Sequence, residues 1–167
     1  LRVTVYRENE KVFTSLALND AVINQGNFAR LIHLKTEVNQ RKINQIRADG
    51  LIISTPTGST AHSLSAQGPI VHPHVEALII NPICPAGLGN RAIVIPNDRQ
   101  IKITLETEWR SEDHASDVGL TIDGQVVFPL KYGDEIKIRK SIRYFYMIRL
   151  SGKRYYKILR DKLGWGN

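Results

Sequence analysis

Cysteine is nearly missing from this sequence: Cys84 is the only one among 167 residues. A disulfide framework within the chain is excluded, and the composition suits a reducing compartment, so a cytoplasmic location is expected. Long apolar runs are missing too. A membrane helix needs about 20 such residues in a row, so no membrane partner is expected. No charged start followed by an apolar stretch opens the chain, which leaves no visible signal peptide. Methionine does not open it either. The chain starts at Leu1, inside a strand-like alternation, and is expected to be part of something longer.

Acidic charge is what the C-terminal end lacks. Residues 1–130 hold 12 Lys and Arg against 13 Asp and Glu, whereas residues 131–167 hold 11 against 3. The net charge of +7 therefore comes from that final stretch. A basic tail can mark a polyanion, and Tyr144, Phe145, Tyr146, Tyr155, Tyr156 and Trp165 could stack on bases. These aromatics alternate with aliphatics as core positions do, which favours a solvated strand face and a terminal helix over other protein. No nucleic-acid partner is expected.

Hydrophobic residues make up 42 % and charged ones 23 %, a balance that fits one ordinary folded domain. Strand signals dominate. Period-two alternation or short apolar runs fall at Arg2–Arg7, Lys11–Leu18, Phe28–Val38, Lys42–Arg47, Leu51–Ile53, Ala77–Asn81 and Ala92–Ile95. Further runs cover Gln100–Glu106, Val118–Ile122, Val126–Leu130, Glu135–Arg139 and Tyr144–Leu150. Glu8-Asn9-Glu10, Asn39-Gln40 and Asp123-Gly124 read as turns, the last as a strong hairpin signal. Only about 59–67 and 155–163 read as helix, the first with hydroxyl residues to cap its amides, the second with Gly164 as its stop. No alternation of strand and helix and no repeat occurs. The expected fold is mainly β: one antiparallel, sandwich-like domain over 1–167 with two short helices.

Most chemical motifs are absent. Gly152-Lys153 is followed by Arg154, so there is no P-loop, and Gly87-Leu88-Gly89 lacks the third glycine of a dinucleotide fingerprint. Gly58-Ser59-Thr60 has the wrong spacing for a nucleophile elbow. His72, His74 and Glu76 lack the helical spacing and fourth ligand of a metal set, so no metal is expected there. One stretch differs, running from Asp49-Gly50 through an apolar strand into Ser54-Thr55-Pro56-Thr57-Gly58-Ser59-Thr60-Ala61-His62-Ser63-Leu64-Ser65-Ala66. Seven of its twelve residues from Ser54 to Ser65 carry hydroxyls, more than capping requires. Amides at a helix start favour an anion or sugar–phosphate, and Gly58 lets a ligand approach the backbone. Chemistry alone reads a site for a polyol or nucleotide.

Thr-Pro-Thr-Gly-Ser-Thr-Ala-His-Ser-Leu-Ser-Ala, after Asp49-Gly50 and its strand, resembles the nucleotide-binding segment of the NAD kinase family. Other matches follow in the family's order. They are Leu18–Ile23, Gly68-Pro69-Ile70-Val71 with Pro73, Pro82–Pro85, Asp123-Gly124-Gln125, and Leu159–Trp165. The resemblance implies transfer of the γ-phosphoryl group of ATP, or of polyphosphate, to the 2′-hydroxyl of the adenosine ribose of NAD, giving NADP. It implies that this chain is the β-rich C-terminal domain. The catalytic aspartate would then sit upstream in an N-terminal α/β domain, within a Gly-Gly-Asp-Gly element absent here, leaving this chain alone inactive. A divalent metal such as Mg²⁺ accompanies ATP in such a reaction and is not expected on this domain by itself.

The resemblance also carries residues. Asn19 and Asp20 match a ribose-binding pair, and an amide beside a carboxylate suits a diol. Asp49, Arg47, Arg30 and Gln125 match lining positions. Thr57, Thr60, Ala61, His62, Ser63, Leu64, Ser65 and Asp123 complete the expected NAD contacts. A strand-end turn at Asn19-Asp20 or Asp49-Gly50, surface charge at Arg30 and Arg47, and an exposed Gln125 are the rival readings. Two departures stand out: His62 where the family often has Tyr, and Asp20 where it often has Glu. The resemblance further implies a homodimer or homotetramer formed through the β domain. Alternatives are a non-catalytic nucleotide-sensing β domain and a related lipid or sugar kinase domain.

Overall fold

The computed structural model describes residues 1–26, 31–107, 118–148 and 155–164. Twelve strands are formed among them: β1 (Arg2–Arg7), β2 (Glu10–Leu16), β3 (Asp20–Gln25), β4 (Ile32–Val38), β5 (Arg41–Ala48) and β6 (Gly50–Ser54). After a helical segment come β7 (Ala77–Ile83), β8 (Ile93–Pro96), β9 (Ile101–Leu105), β10 (Val118–Ile122), β11 (Val126–Pro129) and β12 (Glu135–Arg139). They build two antiparallel six-stranded sheets, in the orders β2-β1-β12-β9-β4-β5 and β11-β10-β3-β6-β7-β8.

Alternation does most of the work. Val3 and Val5, Leu34, Ile101 and Ile103, and Ile136 and Ile138 point from the first sheet into one continuous core. Ala21 and Ile23, Leu51 and Ile53, Leu78 and Ile80, and Leu120 and Ile122 meet them from the second sheet. Each fully buried Leu or Ile of this set contributes about 1.5–3 kcal/mol. Tight turns fix the registers: Glu8 and Asn9, Asn39 and Gln40, and Asp123 and Gly124 each take positive φ as consecutive pairs. Such pairs match the twist of the strands they join.

Arg7 of β1 binds the fully buried Asp134 with two parallel bonds, Nε to Oδ1 at 2.9 Å and Nη2 to Oδ2 at 2.8 Å. Asp134 also accepts the Lys131 amide at 2.8 Å, so the turn into β12 is tied to the first strand of the domain.

Three expectations change. The helix expected over about 59–67 is a 3₁₀ turn, Thr57–Thr60, followed by a single α-turn, α1 (His62–Ser65). Ala61, at φ −101° and ψ −131°, breaks the run, and neither piece has a side-chain cap. Hydroxyls here bond backwards instead: Ser59 Oγ donates to the Pro56 carbonyl at 2.6 Å. So short a run carries little helix dipole, which removes the argument for an anion at its start. Second, Tyr144–Ile148 form no strand; all five side chains are exposed, so the alternation there does not mark a core, and residues 149 and 150 lie outside the described residues. Third, β3 adds a strand that local pattern does not mark, because Ala21, Val22 and Ile23 are buried on both faces and show no alternation. The terminal helix falls as expected at α2 (Tyr155–Leu163), where the Tyr155 ring meets the His72 ring edge-on at 4.6 Å.

Candidate functional site

The loop entering β3 is the hub of the site. Asp20 pairs in register with Ser54 at the far end of β6, where the hydroxyl-rich segment leaves the sheet. Thr55 clamps the loop from that side, its amide donating to the Asn19 carbonyl at 2.8 Å and its hydroxyl to the Leu18 carbonyl at 2.7 Å. Gly58 packs so closely on the Asn19 backbone that a Cβ would overlap it. The Thr55 hydroxyl also accepts the Gly58 amide at 3.0 Å. A run that looks like ligand-binding hydroxyls thus spends Thr55 and Ser59 on its own architecture.

His62, at the start of α1, turns back toward β3. Its Nδ1 lies 3.3 Å from Asp20 Oδ2, with the imidazole 57 % exposed and the carboxylate 0 %. Burial holds the Asp20 carboxyl above the usual carboxylate range; His62 works against that shift, and the charge of Asp123 adds to it. The His62 ring also lies against the hairpin turn at Gly124.

Beyond His62 opens a cavity of about 580 Å³, on the face of the second sheet that points away from the core. Thr121, Val22, Ile52 and Asn81 form its floor, one from each of four adjacent strands and all in register. His62 and Ser65 close one end. A second cavity, about 590 Å³, lies on the other side of the Leu18–Asp20 loop, walled by Thr55, Thr57, Asp123, Lys140 and Arg143.

The expected NAD contacts divide between two places. Asn19, Asp20, Thr57, Thr60, Ala61, His62, Leu64, Ser65, Asp123 and Gln125 gather around this hub. Ser63 is there too, but fully buried, its Oγ 3.3 Å from Asn81 Nδ2. Asp49 and Arg47 stand at the opposite end of β6, about 15 Å away at the rise of an extended strand. There the Asp49 amide donates to Ile83 O at 3.0 Å, and Arg47 O accepts the Ala86 amide at 2.9 Å. Arg30 lies outside the described residues.

Residues 18–150 match the ATP-NAD kinase C-terminal domain. The chain belongs to this family. The NAD kinase of Geotalea daltonii is 48 % identical over 166 residues, covering 99 % of this chain and 56 % of that protein. That of Carboxydothermus hydrogenoformans is 42 % identical over 167 residues, covering 100 % of this chain and 58 % of that protein. The chain thus spans a little over half the length of these curated relatives. Yeast NADH kinase complexed with NADH matches the fold with a TM-score of 0.87 at 28 % identity, over 99 % of this chain and 49 % of that one. An NAD kinase from Archaeoglobus fulgidus in complex with ATP gives 0.65 at 26 % identity, over 83 % of this chain and 50 % of that one.

In this NAD kinase C-terminal domain, sequence reasoning missed the cavity floor. A signal was present. Asn81 is a polar residue inside the apolar run Ala77–Ile83, and it is buried. Its Nδ2 donates to the carbonyls of Ser63 and Ala66 at 3.0 and 3.2 Å, which ties α1 to β7. Val22 and Ile52 gave no signal, because nothing local tells which face of an apolar strand is lined by a cavity.

Proposed function

We propose that this chain is the dinucleotide-binding half of an NAD kinase, which phosphorylates the 2′-hydroxyl of the adenosine ribose of NAD with ATP or polyphosphate as donor. The observation that carries the reading is the pairing of Asp20 with His62 at the mouth of an outward cavity. Family membership supplies the substrate class. Asp20 has no exposure of its own, so what it presents to a ligand is the imidazole it holds. The exposed ring offers an apolar face for a base, while the Asn19 side chain offers a donor and an acceptor to a ribose diol. Ser65 and Thr60 add hydroxyls on the exposed side of the helical segment.

Asp49 and Arg47, about 15 Å from the hub, cannot serve the same ribose. They contact either the far end of an extended dinucleotide or a ligand held by a second copy of the chain, in keeping with a homodimer or homotetramer. The chain acts in the cytoplasm in this reading, and alone it transfers no phosphoryl group. A divalent metal would accompany ATP. Among the described residues no three His, Cys, Asp or Glu side chains gather to hold one, so the donor set here does not fit it. No step through it is assigned to this chain.

Calorimetric titration of the chain with NAD and NADP tests the proposal. Binding that disappears in an Asp20→Ala, Asp49→Ala double variant supports it. Binding unaffected by both substitutions places the nucleotide elsewhere and overturns it.

A further inference from the structure

Asp123 is expected among the NAD contacts, yet its carboxylate is already occupied. Oδ1 accepts the amides of Asn19 at 2.8 Å and Asp20 at 3.1 Å, and Oδ2 accepts the amide of Leu18 at 2.8 Å. Three consecutive amides at the start of β3 converge on one carboxylate at the end of the neighbouring strand β10, 103 to 105 residues away in sequence. In return, the Asp123 amide donates to the Asp20 carbonyl at 3.1 Å.

The delivery is rigid. Asp123 opens the β10–β11 hairpin with φ 50°, followed by Gly124 at φ 68°, so the side chain leaves a turn with little freedom. Thr55 holds the opposite edge of the same loop by the carbonyls of Leu18 and Asn19. Every backbone amide and carbonyl from Leu18 to Asp20 therefore has a fixed partner, and bonds from amides to an ionised carboxylate are among the stronger ones.

We propose that Asp123 is a positioning residue. It acts through Leu18–Asp20, setting the Asn19 side chain and the Asp20–His62 pair in the geometry that receives the dinucleotide. This rests on the site reading above. A preset loop leaves less ordering to be done when the ligand binds, which appears as affinity.

Asp123→Asn is the informative variant. Asparagine accepts positive φ as readily as aspartate, so the hairpin stays intact. Its amide nitrogen, however, faces a backbone N–H where Oδ2 stood, and two donors meet. In the full-length protein, the KM for NAD is expected to rise by about ten-fold or more, with the KM for the phosphoryl donor unchanged. Hydrogen exchange of the Leu18, Asn19 and Asp20 amides is expected to accelerate by about ten-fold, with those of Val22 and Ile23 unaffected. An unchanged KM for NAD, or a loss of activity that only tracks the folded fraction, overturns the proposal.

The unsubstituted protein gives a second measurement that needs no variant. The three amides must already be protected before NAD is added, and rates equal to those of the exposed Gly87–Gly89 loop overturn the preset loop. A parent protein that shows this protection yet binds no NAD overturns the reading of the site instead.

Discussion

His62 Nδ1 stands 3.3 Å from a carboxylate oxygen of Asp20 that has no contact with solvent. The pair joins residues 42 apart in sequence and places an ionisable group at the base of the site. Because burial raises the Asp20 carboxyl, the folded state favours its protonated form. Its contribution to stability is fully present below the ordinary carboxylate range and is lost as pH rises through the raised value. At neutral pH the buried charge is a cost. Asp20→Asn should therefore raise the unfolding midpoint at neutral pH. The gain should vanish near pH 3, where both states are protonated; thermal unfolding at the two pH values checks it, and an equal gain at both contradicts it.

The His62 side chain is 57 % exposed beside the buried Asp20 carboxylate. Replacing it with alanine should weaken NAD binding by about 1–3 kcal/mol, the usual worth of a base stacked on an aromatic ring. His62→Tyr should hold the affinity. Calorimetry on both variants separates a stacking role from one that needs the imidazole nitrogens, since only the latter is lost in the tyrosine variant.

Gly58 has no room for a side chain, because a Cβ would run into the Asn19 backbone. Gly58→Ala should push the Leu18–Asp20 loop away and cost about 1–3 kcal/mol of stability from overpacking. It should also abolish measurable NAD binding at temperatures where the variant is still folded. A variant that folds and binds normally would mean that the loop has slack the packing does not show.

Arg7 reaches Asp134 across 127 residues of sequence, and Asp134 is fully buried. Arg7→Ala leaves that carboxylate with the backbone amide of Lys131 as its one remaining hydrogen-bond donor among the described residues, and should cost about 3 kcal/mol in urea unfolding. Arg7→Lys should recover only part of this, since an ammonium cannot form the two parallel bonds.

Local pattern made the sheets legible. Alternation at Arg2–Arg7 or Glu135–Arg139 marks one buried face, and Asp123-Gly124 announces its hairpin. It could not reveal β3, buried on both faces, nor distinguish Tyr144–Ile148 from a core strand, because exposure depends on what lies opposite. Candidate site residues could be named from the sequence, but their arrangement could not. Nothing near Asp123 in sequence tells that its oxygens are taken by Leu18, Asn19 and Asp20, and nothing near Asp49 tells that β6 separates it from them.

The second sheet has a property that bears on how copies of the chain could meet. Its two outermost strands, β11 and β8, are four residues long, and each finishes in a proline, Pro129 and Pro96. A proline offers no N–H to an incoming strand, and four residues give little length to zip along. Neither border invites a neighbour to extend the ladder, which leaves the outward surface, over the row of Thr121, Val22, Ile52 and Asn81, as the broader place for a partner to stack. Association by that route would roof the cavity and not merely adjoin it, making the ligand's enclosure a matter of quaternary structure.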